Sequence, residues 1–121
     1  MDVQQASRVH VFEMNKFCIV ECVDSSLKGN LMCLTSLLSM VNNTDEIDIY
    51  VLCLNDNTFI NYYKQLNAKV IIIDDIFNSK FAMLDSKAWN KFVYARFTIF
   101  ELQVFKNYEM ILYLDIDTFV T

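Results

Sequence analysis

Four apolar runs, separated by stretches of helical periodicity, constrain this sequence more than any other feature. They occupy residues 17–23, 47–54, 70–73 and 110–114. Near-continuous apolar runs of this length are typical of strands that are buried on both faces of a parallel sheet. Strands that alternate with helices imply βαβ crossovers, so we predict a Rossmann-like α/β fold with a mostly parallel sheet flanked by helices.

The segments between the runs predict the connecting helices and loops. Helices are predicted after residue 27 and over 58–66 and 91–106, and irregular structure over 74–90. Polar residues at 42–45 and 55–57 predict loops. In the first helix, one side carries apolar residues at helical spacing and the other carries polar ones. The apolar side consists of Leu31, Leu34, Leu38 and Val41, and the polar side of Thr35, Ser36 and Ser39.

Length and composition indicate one globular domain. The chain has 121 residues, of which 55% are hydrophobic, so a single core is feasible and disorder is excluded. One glycine and no proline are too few for the many tight turns of an all-β fold. We predict an N-terminal lead over 1–16 and the domain itself over 17–121.

The charge balance excludes one class of partner. The net charge is −5, and the ten lysine and arginine residues are scattered rather than clustered. A basic patch is the usual mark of nucleic-acid binding, so we expect no nucleic-acid partner. An acidic chain can still bind a nucleotide when a divalent cation bridges the two.

The cysteines and the lengths of the apolar runs indicate the cellular compartment in which the protein is expected. No CxxC pair and no nearby histidine supports a zinc site, so buried free thiols in a reducing compartment are expected. No segment has the layout of a signal peptide or the length of a membrane span, and we expect a cytoplasmic protein without a transmembrane segment. The four cysteines are Cys18, Cys22, Cys33 and Cys53.

The last apolar run ends in Asp115-Ile116-Asp117. In an extended chain residues i and i+2 point to the same side, so the two carboxylates can converge on one point. Carboxylate oxygens are ligands that Mg²⁺ and Mn²⁺ prefer. Parallel sheets bind ligands at the carboxyl ends of their strands, where this pair would lie beside Asp24. A metal site and a solvated turn both stay open.

Arg96 lies within the apolar part of the predicted helix 91–106. On an α-helical wheel it falls in the middle of a broad apolar arc, so we expect a mostly buried side chain directed toward the strand ends. A charge in that position needs an anionic partner. The partner is either one of the chain's own aspartates or a phosphate or sugar of a ligand.

Residues 94–120 resemble glycosyltransferase family 8, the family that contains glycogenin and galactinol synthase. The segment reads YARFTIFELQVFKNYEMILYLDIDTFV. It combines a helix, a turn with Tyr108 and an apolar strand ending in YLDxD, as the family does. The start of the chain is similar too, since a strand and an aspartate precede Leu27-Lys28-Gly29 at the opening of a helix. The resemblance spans about residues 17–121.

The resemblance implies a GT-A fold and transfer of a hexose from a UDP-sugar to an acceptor, with retention of anomeric configuration. It also implies Mn²⁺ (or Mg²⁺), held by Asp115 and Asp117, which match the metal-binding DxD pair. Arg96 matches the family's basic donor contact, and Ser26 stands where the family often has an aromatic ring. The positions expected at the uracil base are Cys22, Val23, Asp24 and Ser26. The acceptor could be a glycan, a protein or a small molecule.

The family's third metal ligand, a histidine in a C-terminal motif, would lie beyond residue 121, as would most of the acceptor site. We therefore expect a truncated donor-binding half that binds UDP weakly, only with Mn²⁺, and transfers no sugar. An unpaired strand edge and apolar helix faces would favour self-association. Two alternatives stay open: a non-catalytic remnant or interaction module with a GT-A-like fold, and an unrelated α/β nucleotide-binding domain. The second alternative is disfavoured, because no Gly-rich phosphate loop follows the first predicted strand of this sequence.

Overall fold

The sheet has the predicted architecture. A computed structural model describes residues 16–43, 47–54, 58–81 and 91–118. They form one four-stranded sheet in the order β3-β2-β1-β4, in which every neighbouring pair is parallel. The predicted strands are confirmed to within one residue at each end, and the fold is Rossmann-like α/β, consistent with the GT-A fold that the family resemblance implies. The strands are β1 (Phe17–Val23), β2 (Asp48–Cys53), β3 (Lys69–Ile72) and β4 (Met110–Tyr113).

Helices cover both faces of the sheet. In the part of the chain that the structure describes, three are α-helices: α1 (Leu27–Met40), α2 (Ile60–Gln65) and α3 (Asp74–Phe81). Three more tightly wound segments of that part are 3₁₀ helices: Val41–Asn43, Lys91–Phe100 and Gln103–Asn107. Among the helices that the structure describes, none combines the length and apolarity that crossing a membrane would require.

Each face of the sheet has its own core. Successive side chains of a strand alternate between the faces, so each strand contributes to both. Leu37 of α1 and Tyr63 of α2 lie in one core, together with β2 residues such as Val51. Phe77 of α3 and Phe105 of the last 3₁₀ helix lie in the other. The four cysteines are free and buried in these cores, as predicted.

The apolar side of α1 is not the side that faces the core. Leu31 and Leu38 are exposed, whereas Ser36 is fully buried and its hydroxyl donates to Glu21 Oε2 at 2.9 Å. Asn30 is buried as well, and its amide nitrogen donates to the carbonyl of Asp24 at 2.8 Å. Polar side chains occupy the buried side because partners on β1 and its loop satisfy their hydrogen bonds.

Two other segments differ from the prediction. Residues 74–81, predicted to be irregular, form α3, and Asp74 and Asp75 in its first turn favour the positive end of the helix dipole. The predicted helix over 91–106 is instead two consecutive 3₁₀ helices. Residues 82–90, the predicted loop at 55–57, part of the loop at 42–45 and all but the last residue of the lead 1–16 lie outside the described residues.

Candidate functional site

The pairing of β1 with β4 places the candidate residues at one edge of the sheet. The two strands are parallel, and Val20 pairs with Tyr113. Asp24 follows the end of β1, and Asp115 and Asp117 follow the end of β4, so all three lie at neighbouring carboxyl ends. This confirms the expectation that the aspartate pair shares a sheet edge with Asp24.

The aspartate pair lies on a tight turn rather than on an extended strand. The amide of Leu114 donates to Val20 O at 3.0 Å and closes the β1–β4 ladder, and the amide of Thr118 then donates to Asp115 O at 3.0 Å. Asp115 and Asp117 are both exposed and line one cleft of about 240 Å³. Asp115 and Asp117 therefore reach the same cleft because of this turn, and not because of the alternation of side chains along an extended strand.

A buried aromatic cluster fixes the position of β4. Phe105 packs edge-on against Tyr50, with ring centroids 4.9 Å apart. The hydroxyls of Tyr50 and Tyr108 lie 2.9 Å apart, and Tyr108 also donates to a carboxylate oxygen of Asp48. The tyrosine-containing turn that the sequence singled out thus anchors the start of β4 to β2, and with it the register of the aspartate pair.

The loop between β1 and α1 is held by a short network of hydrogen bonds. Asp24 Oδ1 accepts from the amide of Ser26 at 2.9 Å, and Ser26 Oγ accepts from the amide of Gly29 at 3.1 Å. Ser26 is therefore the N-cap of α1, a position that serine favours. The side chain of Asn30, bonded to the Asp24 and Ser26 carbonyls, closes the loop from the buried side.

Gly29 lets this loop approach the aspartate turn closely. A Cβ at Gly29 would lie 2.8 Å from Ser26 Oγ, 3.4 Å from Asp24 Oδ1 and 3.5 Å from Ile116 Cδ1. The first distance is shorter than any normal contact of a side-chain carbon, so a larger residue would displace the capping serine. The lone glycine of the sequence is thus placed where the two loops of the site meet.

Arg96 is exposed, so the prediction of a buried side chain is wrong. The wheel that predicted burial assumed an α-helix, but the segment Lys91–Phe100 is a 3₁₀ helix with three residues per turn. With that repeat Ala95 and Thr98 share the fully buried side, and Arg96 lies on the neighbouring row with Ile99, which is 9% exposed, so that the longer side chain of Arg96 reaches solvent. Its guanidinium lies 5.0 Å from the ring centroid of Tyr113 and lines the same cleft as the aspartate pair. The predicted direction toward the strand ends is therefore correct.

The residues at the end of β1 divide between the cleft and the core. Cys22 is buried and lines the cleft, where burial raises the pKa of its thiol to about 12 despite the nearby Arg96. The thiol therefore stays protonated at neutral pH. The side chain of Val23 points to the opposite face and is fully buried in the core beside α1.

Sequence reasoning missed three residues of the cleft, Met32, Tyr113 and Ile116. Tyr113 lies two residues before Asp115. Burial raises the pKa of the Tyr113 hydroxyl above its ordinary value. Counting back by two from Asp115 along the strand would have placed Tyr113 on the side of the cleft. Met32 carries no comparable signal, because its place depends on the phase of α1.

The donor atoms available for a cation are those of the aspartate pair. Among residues 16–43, 47–54, 58–81 and 91–118, no three histidine, cysteine, aspartate or glutamate side chains are grouped so that they could hold a metal. Two exposed carboxylates lining one cleft are a partial set of hard oxygen ligands, which suits a cation that keeps water and substrate oxygens.

Comparison with known proteins identifies the family. A family model described as Glycosyl transferase family 8 matches residues 18–121, a range that includes the cleft residues at the sheet edge and all of the sheet except Phe17. Neither the curated proteins nor the solved structures give a significant match. The family match covers most of the chain, and it agrees with the parallel α/β sheet and with the cleft where β1 and β4 end. The chain therefore belongs to glycosyltransferase family 8.

Proposed function

We propose that the chain binds a UDP-sugar in the cleft at the ends of β1 and β4, and that this cleft is the donor site for a reaction that transfers a hexose with retention of configuration. One observation carries this proposal: Arg96, Asp115 and Asp117 line the same cleft. Cationic and anionic groups facing one opening suit a nucleotide diphosphate accompanied by a divalent cation. In open parallel sheets, ligands bind at this edge.

The aspartate pair fits Mn²⁺ or Mg²⁺. Both carboxylates are exposed on the turn, so water and diphosphate oxygens can reach an ion held between them. When bound, such an ion would act as a Lewis acid and stabilise the negative charge that develops on the departing UDP. Asp115 and Asp117 would hold it, and the hydrogen bond from Thr118 to Asp115 O would maintain the turn that presents them.

Arg96 would bind the diphosphate. A guanidinium can donate two parallel hydrogen bonds to phosphate oxygens. The exposure of Arg96 leaves it accessible to a ligand, and the ring of Tyr113, 5.0 Å away, restricts the directions it can take. A positive group on this side of the cleft would also oppose the repulsion between the diphosphate and the aspartate pair.

The uracil base would lie at the loop between β1 and α1. Asp24 is half-buried, and its carboxylate could accept a hydrogen bond from the N–H of uracil. Cys22 would form part of the wall, and the exposed Ser26 would border the base. The side chain of Val23 lies in the core, so a contact of this residue with the base would use its backbone.

Titration calorimetry with UDP, with and without Mn²⁺, tests the proposal. We expect a binding heat only when Mn²⁺ is present, and none for the Asp115→Asn/Asp117→Asn double variant. The matched control is Asp75→Asn/Glu109→Gln, which removes two exposed carboxylates outside the cleft and should bind as the unchanged protein does. Equal binding without Mn²⁺, or full binding by the Asp115/Asp117 variant, would refute the metal-dependent site.

A turnover assay separates the remaining alternatives. Release of UDP from a UDP-hexose, with transfer to a glycan, protein or small-molecule acceptor, distinguishes an enzyme from a non-catalytic interaction module of the same fold. If the chain were an unrelated nucleotide-binding domain, its affinity would not depend on the uracil base. Competition between UDP and other nucleoside diphosphates measures this dependence.

A further inference from the structure

We propose that the outer side of α1 is a dimer interface that pairs, antiparallel, with the same surface of a second copy of this chain. The surface, here called the α1 stripe, runs along one flank of the helix, from its first residue to the residue that caps its end. It consists of Leu27, Leu31, Leu34, Leu38 and Val41. It is separate from the donor cleft.

The exposure of the stripe is the first observation. Leu27 is 64% exposed, Leu31 49%, Leu38 56% and Val41 38%, while Leu34 at the centre is half-buried and packs partly against the core. Single exposed leucines are ordinary on protein surfaces, but a continuous row of large apolar side chains is a mark of an interaction site. A row of this length is unfavourable in water and gains free energy when it is covered.

The spacing of the stripe indicates what covers it. Its members follow one another at intervals of four, three, four and three residues. That alternation is the seam by which one helix packs along another at a small crossing angle. The occupant that fits is therefore a second helix with a similar seam, and a second copy of α1 supplies one.

The charges of α1 select the antiparallel arrangement. Lys28 is its only charged residue, and the last turn has no basic residue. In a parallel pair, two Lys28 ammonium groups and the two positive helix ends would lie together. In an antiparallel pair, each Lys28 lies beside the last turn of the other helix, where the carbonyl groups carry partial negative charge. The pair is then two-fold symmetric and closes on itself.

The size of the surface determines the strength of the pair. A helix of 14 residues is about 21 Å long. One pair of such helices buries less than the roughly 1,200 Å² of a standard interface, so we expect a weak, concentration-dependent dimer. The buried side of α1, with Gly29 and Cys33, faces away from the stripe, so pairing leaves the donor cleft open.

Sedimentation equilibrium over a concentration series tests the proposal. We expect reversible dimers for the unchanged chain and monomers for the Leu31→Glu/Leu38→Glu double variant. The matched control is Asn61→Glu/Gln65→Glu, which adds the same two charges to exposed positions of α2 and should still dimerise. Urea unfolding midpoints show that each variant is folded. A chain that stays monomeric at every concentration, or association that survives in the Leu31/Leu38 variant, overturns the proposal.

Disulfide trapping tests the orientation. A mixture of Lys28→Cys and Asn42→Cys chains should form a 28–42 cross-link at dimerising concentrations, because Asn42 lies just beyond the end of α1 and is exposed. Lys28→Cys alone should not cross-link to itself. Efficient 28–28 cross-linking would show a parallel pair and contradict the charge argument.

Discussion

Replacing Glu21 with glutamine should remove most of the pH dependence of the stability of this fold near neutral pH. Glu21 lies on β1 beneath α1 and is fully buried. Its Oε2 accepts from Ser36 at 2.9 Å, but its Oε1 has no hydrogen-bond partner among the described residues. Burial raises the pKa of the carboxyl from 4.5 to about 8, against smaller lowering effects of Ser36 and Cys33.

The sign of the effect follows from where the proton is. Below pH 4.5 the carboxyl of Glu21 is protonated in both states, and its contribution to the free energy of unfolding is fully present. Between pH 4.5 and about 8 only the folded state holds the proton, so stability falls as pH rises. The loss is about 1.4 kcal/mol per pH unit and reaches on the order of 4–5 kcal/mol above the folded pKa.

Urea unfolding followed by far-ultraviolet circular dichroism at a series of pH values measures this loss. The Glu21→Gln variant cannot ionise at this position, so its stability should stay nearly level where that of the unchanged chain declines. At about pH 8 the variant should be the more stable of the two by several kcal/mol. At low pH it should be slightly less stable, because the second amide proton needs an acceptor within the core.

The Ser36→Ala variant provides the matched comparison. It removes the hydroxyl that donates to Glu21, so the pKa should rise further and the loss should extend to higher pH. Other titrating groups are common to all three chains and cancel in the differences. Parallel stability profiles for the unchanged chain and Glu21→Gln would refute the reasoning, since they would mean that Glu21 titrates normally.

Two further predictions concern the donor cleft. Arg96→Met should change the free energy of unfolding by less than about 0.5 kcal/mol, since the side chain is exposed, but should weaken Mn²⁺-dependent UDP binding at least about tenfold. Arg96→Lys should keep part of that affinity, and equal binding by all three chains in calorimetry would exclude a diphosphate contact. Gly29→Ala should displace the Ser26 cap and weaken UDP binding, because the added methyl would lie 2.8 Å from Ser26 Oγ. Its stability should change little in urea unfolding, since a lost cap and a gained helix propensity are each worth about 1 kcal/mol; unchanged UDP affinity would show that the cap does not support the site.

The strands could be predicted from the sequence because burial on both faces leaves an uninterrupted apolar run. The buried sides of the helices were harder to predict, because they depend on hydrogen-bond partners elsewhere in the fold that the hydrophobic pattern does not show. Ser36 is buried where its hydroxyl donates to Glu21, an ionisable residue inside the otherwise apolar run 17–23. Arg96 was misplaced because apolar periodicity does not distinguish a 3₁₀ helix from an α-helix.

The candidate site could be predicted in its location and only partly in its detail. The short motif Asp115-Ile116-Asp117 indicates that the two carboxylates act together. The strand topology predicts the edge of the sheet at which they lie. The turn that presents them depends on Thr118, and the close approach at Gly29 depends on Ile116. The second of these contacts joins residues far apart in sequence, so local patterns carry little information about it.

The strand order β3-β2-β1-β4 has a consequence for how the site assembles. Phe17 pairs with Met110, so the β1–β4 ladder brings together segments more than 90 positions apart, whereas β1–β2 and β2–β3 join near neighbours in the chain. Closing that long loop costs more entropy, and such pairings tend to form late in folding. A nascent chain could therefore fold β1 to β3 on the ribosome, while the donor cleft would wait until the residues around Asp117 had emerged.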